Sequence, residues 1–416
     1  MKILLWHGYL LGGTGSNVYT RALARAWSRL GHEVVVFSQD PHPERFDLGG
    51  ATVVRPDLGG GPLPVFVLDR YADLEPRLLQ ELGRAELDDF VERNAAAVRE
   101  ELPADLVLAN HVLLGGPVGA AVGAPYVVKA HGSELEFSMR GNEELAAWAR
   151  ETLAPARAVI AGSEHIERVL AEVLGPGPHL DRVRIVPPGV DTDELRPEPR
   201  GEALARLVEE ARPDDPNAGR TNERLPDDGN AERLEAFLSE ERPTVVYVGK
   251  LSEEKGVHLL LEALRGLPEA RAVIVGFGPA RESLEAAAGP DVLFTGPLEH
   301  RHLAHLWPLA DASVTPSVFP EAFGMVAAEA AACGSPPLVA RHSGLAEIAE
   351  ALEAEYPPEL RDLASFAPGD ARDFEEKLRA LLALSPADRA RLGAAARRAA
   401  ESRFGWERIG AAILSL

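Results

Sequence analysis

Two glutamates eight residues apart, Glu321 and Glu329 in PSVFPEAFGMVAAEAAACG (316–334), and two lysines five apart, Lys250 and Lys255 in VGKLSEEKG (248–256), have types and spacings suited to holding a charged ligand. Carboxylates orient hydroxyls, and ammonium groups neutralise phosphates. Eight residues are about 2.2 helical turns. The spacing therefore predicts two carboxylates on one helix face, Glu321 at the entrance and Glu329 two turns inside. A carboxylate in a first turn also complements the helix dipole, and an Ala-rich face also packs closely, so on physics alone both readings stand. The neighbourhood favours a ligand: the apolar run ASVTPS precedes the pair, which puts the loop at the C-terminal end of a parallel strand, the edge where open α/β sheets bind ligands.

The lysines are unusual for this chain, which uses Lys at five of its 43 basic positions (2, 129, 250, 255 and 377) and places two of them in one loop after a strand. A compact ammonium suits a diphosphate; the other reading is a solvated loop partnered by Glu253 and Glu254. Glycines mark two further loops, Gly12, Gly13 and Gly15 in LLGGTGSN and Gly276 and Gly278 in GFGP. Neither has the Rossmann spacing, and no acidic residue follows the second strand as a dinucleotide site requires, which sets NAD aside. In VVKAHGSELEF, His131 ends a strand with Lys129 two residues before it, which points it at a sheet edge; Glu134 and Glu136 follow as candidates to orient a hydroxyl or as exposed first-turn acids. Asp191-Thr192-Asp193 matches D-x-D only superficially. Cys/His zinc spacing and a nucleophile elbow are both missing from the sequence, so no metal is expected.

The elements that must position these residues alternate. Strands are expected at 2–7, 33–38, 105–110, 125–130 and 158–163, with a helix at 16–30. They recur at 243–250, 271–278, 291–296, 311–317 and 335–340, with helices at 256–266 and 300–308. Strands separated by helices imply crossovers and parallel sheets. Between 196 and 243 charge rises, Pro, Asn and Gly cluster and strand patterns vanish, which reads as a linker or insertion with one or two helices. The expected division is an α/β unit over 1–190, a linker over 191–242, a second α/β unit over 243–398, and a final helix over 399–416.

Composition agrees with two globular units. The chain has 416 residues, 46% hydrophobic and 26% charged, more than one core usually organises. A formal net charge of −22 argues against nucleic acid and against tight adsorption to anionic membranes. The single cysteine, Cys333, rules out an internal disulfide and fits a cytoplasmic setting. The start MKILLWHGYLL is interrupted by His7 and lacks a signal-peptide cleavage site, and no apolar run approaches the roughly 18 residues of a membrane span.

In order and spacing, these motifs together resemble the retaining family 4 glycosyltransferases, built on the two-domain GT-B fold. The likeness runs from the glycine loop through Gly31-His32, His131-Gly132, Ser163-Glu164, PPGVD at 187–191, Lys255-Gly256, GFGP and the E-x7-E pair to FGW at 404–406. It implies two doubly wound Rossmann-like domains facing across a cleft, acceptor on the first and donor on the second, with the last helix crossing back. It implies a hexosyl transfer from a nucleoside-diphosphate sugar to an acceptor hydroxyl, with no cofactor or metal beyond that co-substrate, a small-molecule donor and acceptor as partners, and at most peripheral membrane contact. By resemblance Glu321, Phe323, Gly324 and His131 serve the donor sugar, Lys250, Lys255, Gly13, Gly15, Gly324 and Met325 the diphosphate, and Glu329, Gly276 and Gly278 the ribose and nucleotide. Glu321, His131, Lys250 and Lys255 then carry the chemistry, and Asn17, Lys129 and Glu134 the acceptor. The family's glycine pair falls on Thr14 and Gly15. Two departures stand out: Lys250 replaces an Arg, losing the bidentate grip, and Ser343 replaces one glycine of a pair before Glu347. The alternatives are a GT-B sugar-nucleotide epimerase and a non-catalytic sugar-nucleotide-binding protein.

Overall fold

The computed structural model describes residues 1–13, 15–68 and 74–416; Thr14, expected in the glycine pair, lies outside the described residues. The first half contributes β1 (Lys2–Trp6), β2 (Glu33–Phe37), β3 (Thr52–Val54), β4 (Leu63–Val65), β5 (Pro76–Leu78), β6 (Leu106–Asn110), β7 (Tyr126–Lys129), β8 (Ala158–Ala161) and β9 (Val183–Ile185). Seven of these form an all-parallel sheet in the order β3-β2-β1-β6-β7-β8-β9, while β4 and β5 pair separately. Parallel pairing demands crossovers, and α1 (Gly15–Arg29), α2 (Arg84–Glu100), α3 (Gly115–Val122), α4 (Glu143–Leu153) and α5 (Glu164–Leu174) provide them. Helices on both faces explain why KILLW is apolar without alternation. Ile3 and Leu5 join the cluster of Tyr19, Leu23 and Trp27 from α1. Leu4 and Trp6 join that of Phe90 from α2 and Val118 from α3. Local chemistry sets the helix starts: the Oγ of Ser163 accepts the Ile166 N–H at 3.2 Å to cap α5.

The second half repeats the plan. Helices α6 (Arg200–Ala211) and α7 (Asn230–Leu238) precede β10 (Thr244–Val248), α8 (Val257–Arg265), β11 (Arg271–Val275), α9 (Arg281–Ala287), β12 (Val292–Phe294) and α10 (His300–Leu306). Then come β13 (Ala312–Thr315), α11 (Met325–Ala332), β14 (Pro337–Ala340), α12 (Ser343–Glu355), β15 (Ser365–Phe366), α13 (Ala371–Leu382), α14 (Pro386–Phe404) and α15 (Trp406–Leu414). The six-stranded sheet is parallel in the order β12-β11-β10-β13-β14-β15, the strand order of a doubly wound dinucleotide-type domain. Among the described residues no helix is long and apolar enough to cross a membrane.

The chain divides into two compact units, Met1–Gly189 with Trp406–Leu416, and Val190–Gly405. Two expected boundaries shift. Residues 191–242, expected as a linker or insertion with one or two helices, carry α6 and α7 but belong to the second unit, where Leu195, Ala203, Leu207, Leu234 and Leu238 are buried in its core. The guanidinium of Arg200 also donates to the Leu309 and Leu238 carbonyls at 3.0 and 3.2 Å. The return to the first unit begins at Trp406 rather than 399, since α14 packs in the second unit to Phe404 and only α15 joins the first, with Ile409 and Ile413 beside Trp27.

Candidate functional site

Each sheet has one switch point, where the strand order reverses and the following loops splay apart to leave a crevice. In the second unit it lies between β10 and β13. The loops after those strands carry Lys255 and Glu321, and the Lys255 Nζ donates to Glu321 Oε1 at 2.5 Å. Lys255 needs Gly256 behind it: Gly256 has φ +66°, and a Cβ there would land on the Pro316 carbonyl oxygen. Lys250 sits exposed after β10, where its carbonyl accepts the Tyr247 hydroxyl at 2.8 Å. Burial first, and the Glu321 charge second, push the Tyr247 phenol up, so this hydroxyl stays a donor.

Backbone interlocking holds the Glu321 loop. Its N–H donates to the Ser343 Oγ at 2.8 Å and its carbonyl accepts the Gly344 N–H at 3.0 Å. His342 hydrogen-bonds the Ser317 carbonyl at 2.7 Å through Nε2 and the Ser343 Oγ at 3.0 Å through Nδ1. Ser343 adopts φ +49°, a conformation glycine takes without cost, and its hydroxyl compensates by fastening Glu321. His342 and Ser343 were not expected as site residues; the signal for them was the departure from a glycine pair. Gly324, at φ +110°, opens α11, so Gly324 and Met325 stand at the first turn, where N–H groups lack intrahelical partners. The Phe323 ring is buried edge-on against Phe404, with centroids 5.3 Å apart.

The expectation that both glutamates share one helix face is corrected. Because α11 begins at Met325, Glu321 lies in the preceding loop. Glu329 alone is helical, 5% exposed, and its Oε1 meets His300 Nε2, at the start of α10, at 3.1 Å. His300 is a third residue not expected at the site. Gly276 and Gly278 have φ +140° and +150°, and a Cβ on either would overlap the carbonyl of Gly249 or Leu251, so GFGP is a close approach of two backbones. Cys333 is buried, and burial raises its thiol well above the usual range.

In the first unit the switch point lies between β1 and β6, and a histidine cluster fills it. His7 follows β1 and His111 follows β6, with ring centroids 5.9 Å apart, and His111 to His131 is 4.6 Å. His131, half-buried, meets the Asn110 Oδ1 through Nε2 at 2.9 Å. Burial, then His111, Lys129 and His7, hold His131 well below the usual imidazole range, and burial chiefly takes His7 to about 3. Asn17, Lys129 and Glu134, expected at the acceptor, are only 5, 3 and 0% exposed. Glu134 is committed internally, accepting the His131 and Val112 N–H groups at 2.6 and 3.3 Å and meeting His111 Nδ1 at 3.3 Å. It braces the His131 backbone from within the core and is not an exposed first-turn acid. Asn17 likewise donates to the Gly12 carbonyl and meets His7 Nε2 at 2.8 Å. The Lys129 Nζ lies 5.6 Å from the Tyr19 ring centroid, and burial brings it down to about 7 against the opposing pull of Glu134. Gly13, at φ +98°, and Gly15, which opens α1, flank the undescribed Thr14. Asp191 Oδ1 accepts the Asp193 and Glu194 N–H groups, both at 3.0 Å, so the D-x-D is a turn. Among the described residues no group of three or more His, Cys, Asp or Glu is arranged to hold a metal.

Residues 13–194 match the family model Glycosyltransferase Family 4, and residues 230–399 match Glycosyl transferases group 1, which leaves 195–229 between them. The chain is 33% identical over 279 residues to the D-inositol 3-phosphate glycosyltransferase of Xylanimonas cellulosilytica, a match spanning 64% of this chain and 58% of that one. It is 35% identical over 177 residues to the GDP-mannose-dependent alpha-(1-6)-phosphatidylinositol dimannoside mannosyltransferase of Mycobacterium tuberculosis, spanning 41% and 42%. In fold it is similar to Anabaena HepE in complex with UDP and glucose (TM-score 0.69, 18% identity, covering 99% of this chain and 98% of that one). The sucrose-phosphate synthase of Thermosynechococcus elongatus is also similar (TM-score 0.64, 22% identity, 99% and 97%).

Proposed function

Because the chain belongs to the group 1 glycosyltransferases and has their GT-B type of fold, we propose that it moves a hexosyl group from a nucleoside-diphosphate sugar to an acceptor hydroxyl, with retention at the anomeric carbon. The second unit is the donor-binding half and the first unit the acceptor-binding half. The observation that carries this reading is the Lys255–Glu321 pair at a switch point, beside the first turn of α11. A cation and a helix entrance suit a diphosphate. A carboxylate 2.5 Å from that cation suits the sugar attached to it.

The bond from the anomeric carbon to the diphosphate oxygen breaks, and the nucleoside diphosphate leaves with its electron pair. Lys255, Lys250 and the amides of Gly324 and Met325 stabilise that growing charge, which is greater in the transition state than in the bound donor. The acceptor hydroxyl bonds to the same face of the anomeric carbon, and its proton passes to the departing phosphate oxygen. Glu321 orients sugar hydroxyls, and Glu329 holds the ribose. No metal enters this scheme. Supporting a nucleotide co-substrate are the UDP held by the HepE neighbour and the GDP-mannose in the name of the mycobacterial relative.

Thermal unfolding with UDP, GDP, ADP and dTDP, followed by NMR of the sugar released on slow donor hydrolysis, tests the proposal. A nucleotide at 100 times its dissociation constant raises stability by about 2.7 kcal/mol. Expected is a shift with one nucleotide, lost in Lys255→Ala, and a sugar released in the donor's own anomeric configuration. No shift with any nucleotide, or release of the inverted anomer, overturns it; binding without transfer to any acceptor favours a sensor.

A further inference from the structure

The stretch between the two family matches, 195–229, includes a turn that reaches the nucleotide loop of the second unit. The guanidinium of Arg224 lies over the ring of Phe277, 5.4 Å from its centroid, and Phe277 is the central residue of GFGP. The turn is firmly held. Buried Asn217 donates to the Asn222 and Leu225 carbonyls at 2.8 and 3.3 Å, and its Oδ1 accepts the Asn222 N–H at 3.1 Å. The Arg224 N–H donates to Asn222 Oδ1 at 3.0 Å. The Asp227 N–H donates to the Thr295 carbonyl at 2.8 Å, fixing the segment to the end of β12. The Asp227 carboxylate takes Arg281 of α9 at 2.5 Å, and Arg220 pairs with Glu285 of the same helix at 2.6 Å. Gly296, at φ +70°, leaves the space that Asp227 and the Leu225 carbonyl occupy.

Resting on the donor-site reading above, the direction of the nucleoside follows from residues already placed. The diphosphate belongs at Lys255 and Glu321, after β10 and β13. The ribose belongs at Glu329, whose carboxylate meets His300 just beyond β12. A nucleoside running from the first point past the second heads toward the loops after β11 and β12, where Phe277 and Arg224 stand. We propose that residues 217–228 form the base-reading wall of the donor site, with Arg224 selecting a nucleobase that presents ring carbonyl oxygens. A guanidinium is planar, so it stacks, and it has donors only, so it pairs with carbonyl acceptors such as those of uracil, thymine or guanine. The exocyclic amine of adenine offers it a donor instead.

The test is calorimetric titration of UDP, dTDP, GDP, ADP and inorganic pyrophosphate into wild-type protein and the Arg224→Ala, Arg224→Lys and Lys255→Ala variants. Arg224 is exposed, so its variants keep the fold. Expected is a preference of the wild type for a carbonyl-bearing nucleotide that falls about ten- to a hundredfold in Arg224→Ala. Pyrophosphate binding is unchanged, and Arg224→Lys restores only part of the preference. An unaltered preference in Arg224→Ala overturns the proposal, as does a wild type that binds ADP best. Wild-type protein that binds no nucleotide overturns the donor-site reading and this proposal with it, whereas nucleotide binding that is lost in Lys255→Ala but untouched in Arg224→Ala leaves the donor site standing and removes only the base-reading wall.

Discussion

Lys255 and Glu321 neutralise each other at 2.5 Å, and that pairing has a measurable consequence. A bound diphosphate must compete with Glu321 for the ammonium. Glu321→Gln is therefore expected to bind nucleoside diphosphate at least as tightly as wild type while its kcat drops by about a hundredfold, as when a transition-state contact is removed. Lys255→Ala is expected to lose about ten- to a hundredfold in nucleotide affinity, the worth of a charge-assisted hydrogen bond. Titration calorimetry beside steady-state kinetics separates the two; equal losses of affinity in both variants contradict this account. At the other switch point the residue-scale effect is one of pH. Burial takes His7 from 6.5 to about 3, so between those values the unfolded chain binds a proton that the native chain refuses. His7 thus withdraws stability as pH falls from about 6.5 toward 3. His7→Gln keeps a donor for Asn17, and its urea midpoint is expected to fall less steeply over that interval than that of wild type.

At the scale of elements, the site depends on how α12 meets the loop before α11. A Cβ on Gly344 would stand 2.5 Å from the Phe323 Cα and 2.6 Å from the Ala322 carbonyl oxygen, both backbone atoms that cannot swing aside. Gly344→Ala must push the Glu321 loop away from α12, at a cost of about 1–3 kcal/mol. The expected outcome is a folded protein with a melting temperature a few degrees lower and, on the proposed function, kcat reduced at least about tenfold. An unchanged kcat would show that the loop position does not matter. Gly256, Gly344 and the hydroxyl of Ser343 thus serve one purpose, letting neighbouring backbones approach closely enough to fix the Glu321 loop. Helix α6 illustrates the opposite case: a helix was expected in this stretch, but its role in the second core was not, because a helix periodicity says which face is buried and not against what.

At the scale of the whole molecule, each unit has its own core, and the chain returns to the first at Trp406. Trp406, Ile409 and Ile413 are buried among Tyr19, Trp27 and Val186, each worth about 1.5–3 kcal/mol. Deleting 406–416 is expected to speed hydrogen exchange in α1 and β1 while leaving β10 and β11 protected. Nucleotide should still stabilise the second unit in the shortened chain. Loss of protection in both units would mean that they do not fold independently.

Two parallel α/β units, the strand-end loops that carry Lys255-Gly256 and Glu321, and the GFGP turn were readable from the sequence, because strand-length apolar runs and glycines at strand ends are local signals that survive without neighbours. Short edge strands such as β3 and β15 carry too few residues to show a period. What only the tertiary structure decided were the partners across sequence distance. Glu321 meets Lys255, Glu329 meets His300, Glu134 turns inward beneath His131, and Arg224 covers Phe277. Spacing along one helix suggested that Glu321 and Glu329 act side by side. Glu321 instead lies in the loop before α11, which starts only at Met325, and what each carboxylate faces is set by loops from other strands brought to the same edge by the winding of the sheet.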